Sequence, residues 1–286
     1  MITGDGVPGP HGDNGVRRPH GRRGSSRLKK LVITLVVLVA LLVAADFGVA
    51  AAAEYQVAQK MRTQLKLTDD PSVRINGFPF ITQALAGDYE DVQISASGVP
   101  VRDQLRDLEI QAHLHHVRIG LSDLLGGNTR NATVDDLEGS VTIKASDIAR
   151  LASNSEIPIT DLTIDPDTRK PEDGGPTGKP DPRVAPVKLT GNTTVAGKKI
   201  KITAYGTVTL LDTTVQIAAG KVAIDDQTLP GLNQLLSLAA RAFSIDIKPG
   251  ELPFTVTPTE VRVDSGSVTV KGRASNVRLN GATTGG

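Results

Sequence analysis

The sequence predicts an α+β, mostly β fold, in which a long curved antiparallel sheet wraps an amphipathic helix behind one N-terminal apolar helix of membrane length. Three observations carry that expectation. An uncharged apolar run occupies Leu31–Ala45 directly after a cluster of bases. Period-two alternation of apolar residues recurs along most of the chain beyond Val73, the mark of strands with one buried face. A single strong stripe of period 3.6 interrupts it, where Leu232, Leu235, Leu236, Ala239 and Phe243 fall on one helical face.

Taken in order, residues 1–27 are rich in Gly, Pro, Arg and His without apolar periodicity and read as a disordered basic cytoplasmic tail. Residues 28–53 form the membrane segment. At 1.5 Å per residue, Leu28–Ala45 spans roughly 27 Å, close to a hydrocarbon thickness of ~30 Å, with Lys29 and Lys30 snorkelling to the inner surface. Asp46 then marks the outer boundary of the bilayer. The bases before the run place the N-terminus inside. Ala50–Ala53 before Glu54 also present small residues suited to signal cleavage, so an uncleaved anchor and a removed leader both stand. Either one exports residues 54–280.

The exported part begins with Val57, Ala58, Met61 and Leu65 at helical spacing, stopped by Asp69-Asp70-Pro71. Strands follow at Val73 and Ile75, at Val92, Ile94 and Ala96, and at Leu108–Leu114. There the alternation slips to Val117 and Ile119 and predicts a β-bulge or a bend. A further strand covers about Val134–Ala145, and Ser146-Asp147 caps a short helix through Leu151. Residues 165–186 hold six of the 17 prolines, three glycines and nine charged residues, and read as a surface insertion in one domain. Beyond it, Val187–Val195, Ile200–Leu210 and Val215–Ile224 predict an antiparallel meander. The helix at Leu232–Phe243 and strands at Ile245 and Ile247, Phe254 and Val256, Val261 and Val263, Val268 and Val270, and Val277 and Leu279 complete the fold, with residues 281–286 frayed.

Composition excludes several functions. With no cysteine, the chain has no disulfide scaffold, thiolate metal site or cysteine nucleophile. From Glu54 onward 25 bases face 28 acids, so nucleic acid is not an expected partner. His113 and His115 share one strand face while His116 is expected on the other, so at most two rings converge, and no metal is expected. The acidic pairs Asp69-Asp70, Asp135-Asp136 and Asp225-Asp226 adjoin turn signals. Gly174–Pro180 lacks the first glycine and the hydroxyl of a phosphate loop. No catalytic residue and no cofactor is assigned, and the chain is read as a non-enzyme.

The informative stretch is Gly77-Phe78-Pro79-Phe80-Ile81-Thr82-Gln83-Ala84-Leu85-Ala86-Gly87, which puts two of the five phenylalanines around a proline between two strands. On residues alone a buried corner and a ligand site both account for it. This run with the following Tyr89, and the later Leu252-Pro253-Phe254, Gly266 and Asn276-Val277-Arg278-Leu279, resembles the LmeA-like family of actinobacterial envelope proteins. Gly77, Phe78, Pro79, Phe80, Gln83, Gly87, Leu252, Pro253 and Phe254 carry the resemblance.

The resemblance implies phospholipid as partner, a role linked in mycobacteria to mannan elongation of lipomannan, and a fold like the tubular lipid-binding proteins. Residues 165–186 do not match its pattern. The expected function is therefore a membrane-anchored extracytoplasmic protein that holds acyl chains in an aliphatic groove lined by Phe78, Phe80, Ile81, Leu85, Leu232, Leu235, Leu236, Phe243 and Phe254. Its partners are phospholipid and the cytoplasmic membrane. The alternative is a non-catalytic structural or interaction protein of the envelope whose interior closes on itself.

Overall fold

The computed structural model describes residues 25–101, 105–128, 132–153, 155–195, 197–212, 214–225, 231–247 and 256–279. Residues 1–24 of the expected basic tail, the motif residues Leu252, Pro253 and Phe254, and the expected frayed end lie outside them, while the last three residues assigned to the tail, 25–27, are helical. The chain divides into two compact units, Met1–Ala45 and Asp46–Gly286. A single helix α1, Ser25–Leu65, contains the apolar run, and Arg27–Leu65 is long and apolar enough to cross a membrane.

The second unit is α+β and mostly β, as its alternation predicts. Its antiparallel strands form two sheets, in place of the one long sheet expected. The first has β1 (Ser72–Asn76), β2 (Asp88–Val101), β3 (Leu105–Arg118), β4 (Ala132–Lys144), β10 (Thr257–Asp264) and β11 (Ser267–Leu279), in the order β1-β2-β3-β4-β11-β10. The second runs β5-β6-β7-β8-β9, made of Thr160–Pro166, Val184–Val195, Lys198–Leu211, Thr214–Ile224 and Ile245–Ile247. Strongly twisted sheets of this many strands divide and pack, since each then covers the other's apolar face. The main core does this: Leu108, Ile143, Val263 and Val268 of the first sheet join Val187, Leu189, Ile202 and Val208 of the second.

The short helices α2 (Phe80–Ala86), α3 (Leu121–Gly126) and α4 (Ala145–Ser153) punctuate the first sheet, and α5 (Leu232–Ala242) packs on β7 and β8. The helix assigned at Leu232–Phe243 is therefore present, but it serves the second sheet. The half-barrel of the first sheet takes the C-terminal half of α1, whose Ala50 and Ala53 are buried with Ile75, Tyr89, Leu114 and Leu137. Glu54 accepts the Ile75 N–H at 2.7 Å. At the far end of α1, Gln64 reaches the Gly127 carbonyl.

The slip between Leu114 and Val117 is a bend, the second of the two expected alternatives. Inward positions change parity between Tyr89 and Val92, Leu114 and Val117, Val134 and Leu137, and Ala274 and Val277, while the strands keep register across all four. A crease thus crosses four strands without an inserted residue. His116 and Asn276 take left-handed φ values of 51° and 54° at that crease. The same rotation corrects the expectation for His116, which is exposed together with His113 and His115. Its Nδ1 lies 3.2 Å from Asp88.

Two further differences concern local chemistry. Asp147 does not cap its own helix; fully buried, it accepts from the Arg106 and Asp107 N–H groups and from Arg150, so it ties α4 to the start of β3. The strand β5 is absent from the sequence reading although Leu162 and Ile164 alternate in it and are buried. Of the Pro-rich insertion, residues 167–183 lie between strands, with one short 3-10 turn at Pro171–Asp173. Arg169 pins it by pairing with Asp167 at 2.7 Å and stacking 3.4 Å over the Tyr205 ring.

Candidate lipid-binding site

Two apolar clusters occupy the second unit, one between the sheets and one between the first sheet, α1 and α2. The inner face of the first sheet runs continuously from one to the other as three successive rungs. Ile75, Val92, Leu114, Leu137 and Ala274 form the rung nearest the crease. Val73, Ile94, Ala112, Gly139 and Gly272 form the next, and Ala96, Ile110, Val141, Val270 and Val261 the third.

Burial varies along these rungs. Ile75, Leu114 and Leu137 are buried in one cluster, and Ala96 and Val261 in the other. Val92, Ile94, Ile110, Ala112, Val141 and Val270, all inward-facing and aliphatic, are only half-buried. The middle rung carries the smallest side chains of the three. A Cβ placed on Gly139 would meet its nearest neighbours at 3.7 and 3.8 Å, ordinary contact, so side-chain volume there is spare. Gly272 differs, because Val256 already covers it. The result is an aliphatic trough floored by Ile94, Ala112 and Gly139, with no charged residue in the three rungs.

Such a floor suits a hydrocarbon chain. It offers contact to methylenes along the strand-crossing direction and asks nothing of the ligand's polar part. Across the crease from these rungs, the Tyr89 hydroxyl, buried against Phe80, has no partner among the described residues. Burial raises its phenol above the ordinary value.

The nine groove residues expected from sequence are dispersed. Phe80 is buried in the core with Tyr89, while Phe78, Ile81 and Leu85 are exposed. Leu235 and Phe243 are buried between α5 and the second sheet, Leu232 and Leu236 are half-buried there, and Phe254 lies outside the described residues. The trough residues were all legible as strand positions, but nothing in their alternation separates a half-covered rung from a filled one.

The motif at Gly77–Gly87 builds a corner. Phe78–Pro79 is cis, and Gly77 has φ 102°, with no room for a Cβ against the Gln83 amide. Buried Gln83 accepts the Glu90 N–H at 3.0 Å and donates to the Asn76 carbonyl, fastening β1 to β2. Gly87 closes α2 in the left-handed conformation, and its carbonyl accepts the Ile119 N–H at 2.9 Å. Asp46, buried at the opposite end of α2, accepts from the N–H groups of Phe80 and Ile81, each at 2.8 Å. Two negative oxygens on the first free N–H groups of a helix are favourable on both hydrogen-bond and dipole grounds.

No group of three His, Asp or Glu residues among the described residues is arranged to hold a metal ion. No curated protein and no solved structure matches this sequence. A family model, described as LmeA-like phospholipid-binding, matches residues 44–273, which includes the corner motif, Ile94, Ala112 and Gly139, and both sheets but for the end of β11. This chain belongs to the LmeA-like phospholipid-binding family.

Proposed function

We propose that the chain is a membrane-anchored, extracytoplasmic phospholipid carrier or presenter that lays an acyl chain along the trough of its first sheet and supports envelope lipid or lipoglycan assembly. The observation that carries this reading is the run of half-buried aliphatic side chains on the inner face of the first sheet, Val92, Ile94, Ala112, Ile110, Val141 and Val270, which links the two buried clusters past Gly139, in a family described as phospholipid-binding. Covering six to eight methylenes supplies about 5–6 kcal/mol before ordering costs, at about 0.8 kcal/mol each. The anchor is the apolar part of α1, and the bases preceding it orient the chain with the β unit outside. In this reading residues 28–45 serve as the membrane segment, while Ala50 and Ala53, counted with it in the sequence, pack with the β unit.

The test is lipid retention. Full-length chain, stripped of lipid in detergent, is incubated with vesicles of phosphatidylethanolamine and phosphatidylglycerol, repurified and weighed by native mass spectrometry. About one phospholipid per chain is expected. A chain that emerges bare would instead be the structural or interaction protein of the alternative reading.

A further inference from the structure

We propose that Phe47, Phe78, Ile81 and Leu85 form an apolar foot that inserts into the outer surface of the lipid bilayer and fixes the β unit against it. These four side chains are 62%, 59%, 42% and 83% exposed, far more than a soluble surface needs of its largest aliphatic and aromatic residues. They are contiguous: the Phe47 and Phe78 rings stack at 6.0 Å with 23° between planes, and Phe78, Ile81 and Leu85 follow at i, i+3 and i+7 across the entry and one face of α2.

Three observations point to bilayer as the occupant. Phe47 stands two residues beyond Ala45, the end of the apolar run, so the patch is tethered at the level where the hydrocarbon would end. The tether is direct, because both Asp46 oxygens bond the first turn of α2 at 2.8 Å and so fasten α2 to that point of the helix. And Asn76–Gly87 contains no charged residue in a chain that is 22% charged, so the face suits hydrocarbon and the headgroup boundary rather than a charge-matched protein surface. The inference rests on the anchor in the proposed function and is independent of whether the trough holds lipid. It predicts attachment insensitive to salt and to anionic lipid.

The cysteine-free sequence permits single labels. Leu85→Cys, Val37→Cys in the apolar run and Lys221→Cys at an exposed position of β8 are each coupled to an environment-sensitive fluorophore in full-length chain, reconstituted in phosphatidylcholine vesicles. Labels at 37 and 85 should be quenched by doxyl-labelled acyl chains and shielded from iodide several-fold relative to 221. Adding Phe47→Ser and Phe78→Ser, both exposed positions, should restore iodide access at 85. Lipid contact at 37 with iodide access at 85 equal to that at 221 overturns the foot and leaves the anchor standing. Shielding at 85 that rises with the chain-to-lipid ratio assigns the patch to a second copy and overturns it too. Iodide access at both 37 and 85 removes anchor and foot together.

Discussion

The carboxylate of Asp46 and the backbone of Phe80, 34 residues apart, meet at 2.8 Å and join the helix that carries the apolar run to the corner of the β unit. A residue that composition alone marks as a membrane boundary is thereby also a structural clasp. Its second oxygen takes the Ile81 N–H, so the buried charge is compensated by two donors.

Replacing Asp46 with Ala should destabilise the β unit by about 3–6 kcal/mol, since it removes two hydrogen bonds to a charged group at about 1.5–3 kcal/mol each. Asp46→Asn keeps one acceptor and should lose roughly half of that. Urea denaturation of the detergent-solubilised chain measures both; equal stability of all three proteins would show that the clasp contributes nothing.

Gly139→Leu should occupy the spare volume on the middle rung. Gly139 is an inward strand position with no positive φ, and an added Cβ stands in ordinary contact at 3.7 Å from the Gln111 carbonyl and 3.8 Å from Leu137. Phospholipid retained per chain should fall several-fold, while stability shifts by less than about 1.5 kcal/mol in either direction. Undiminished retention would place the ligand elsewhere.

Tyr89→Phe should leave stability unchanged or raise it by about 1 kcal/mol, because it removes a buried hydroxyl that has no partner. The phenol of Tyr89 should ionise only above the ordinary value near 10, since burial opposes the charged form. Alkaline difference spectroscopy of the parent chain and the variant isolates that step; a Tyr89 titration at or below the ordinary range would contradict its burial.

The pairing of Asp167 with Arg169 sets a pH dependence. The guanidinium donates to both carboxylate oxygens and holds Asp167 below the usual carboxylate range. Because the folded value is depressed, the stabilisation is complete above the unfolded value, about 3.9, and is lost as pH falls through the folded one. The stability gap between the parent chain and Asp167→Asn should therefore be constant near neutrality and close below about pH 4. A gap that widens in acid would have the wrong sign for this pairing.

Much of the fold is legible in the sequence because strand alternation and the α5 stripe are local signals. Strands β6, β7 and β8 and helix α5 appear where Val187–Val195, Ile200–Leu210, Val215–Ile224 and Leu232–Phe243 place them. The division into two sheets is a long-range choice and leaves no mark on any one strand. Helix α2 is hidden for a different reason: Pro79 and the glycines Gly77 and Gly87 suggest a turn, and the carboxylate that starts the helix comes from Asp46 on another element. The trough is hidden because Ile94 and Ala112 alternate just as the buried Ala96 and Leu114 do. Whether an inward side chain finds neighbours depends on what faces it across the interior.

The Glu54 carboxylate that takes the Ile75 N–H sits on β1, an outermost strand of the first sheet. A free strand edge is a template on which another extended segment can zip, and a charged group already seated on its donor removes one rung of that template. The C-terminal half of α1 thus occupies a donor on the border of the sheet and leaves one position fewer on which a further strand could pair.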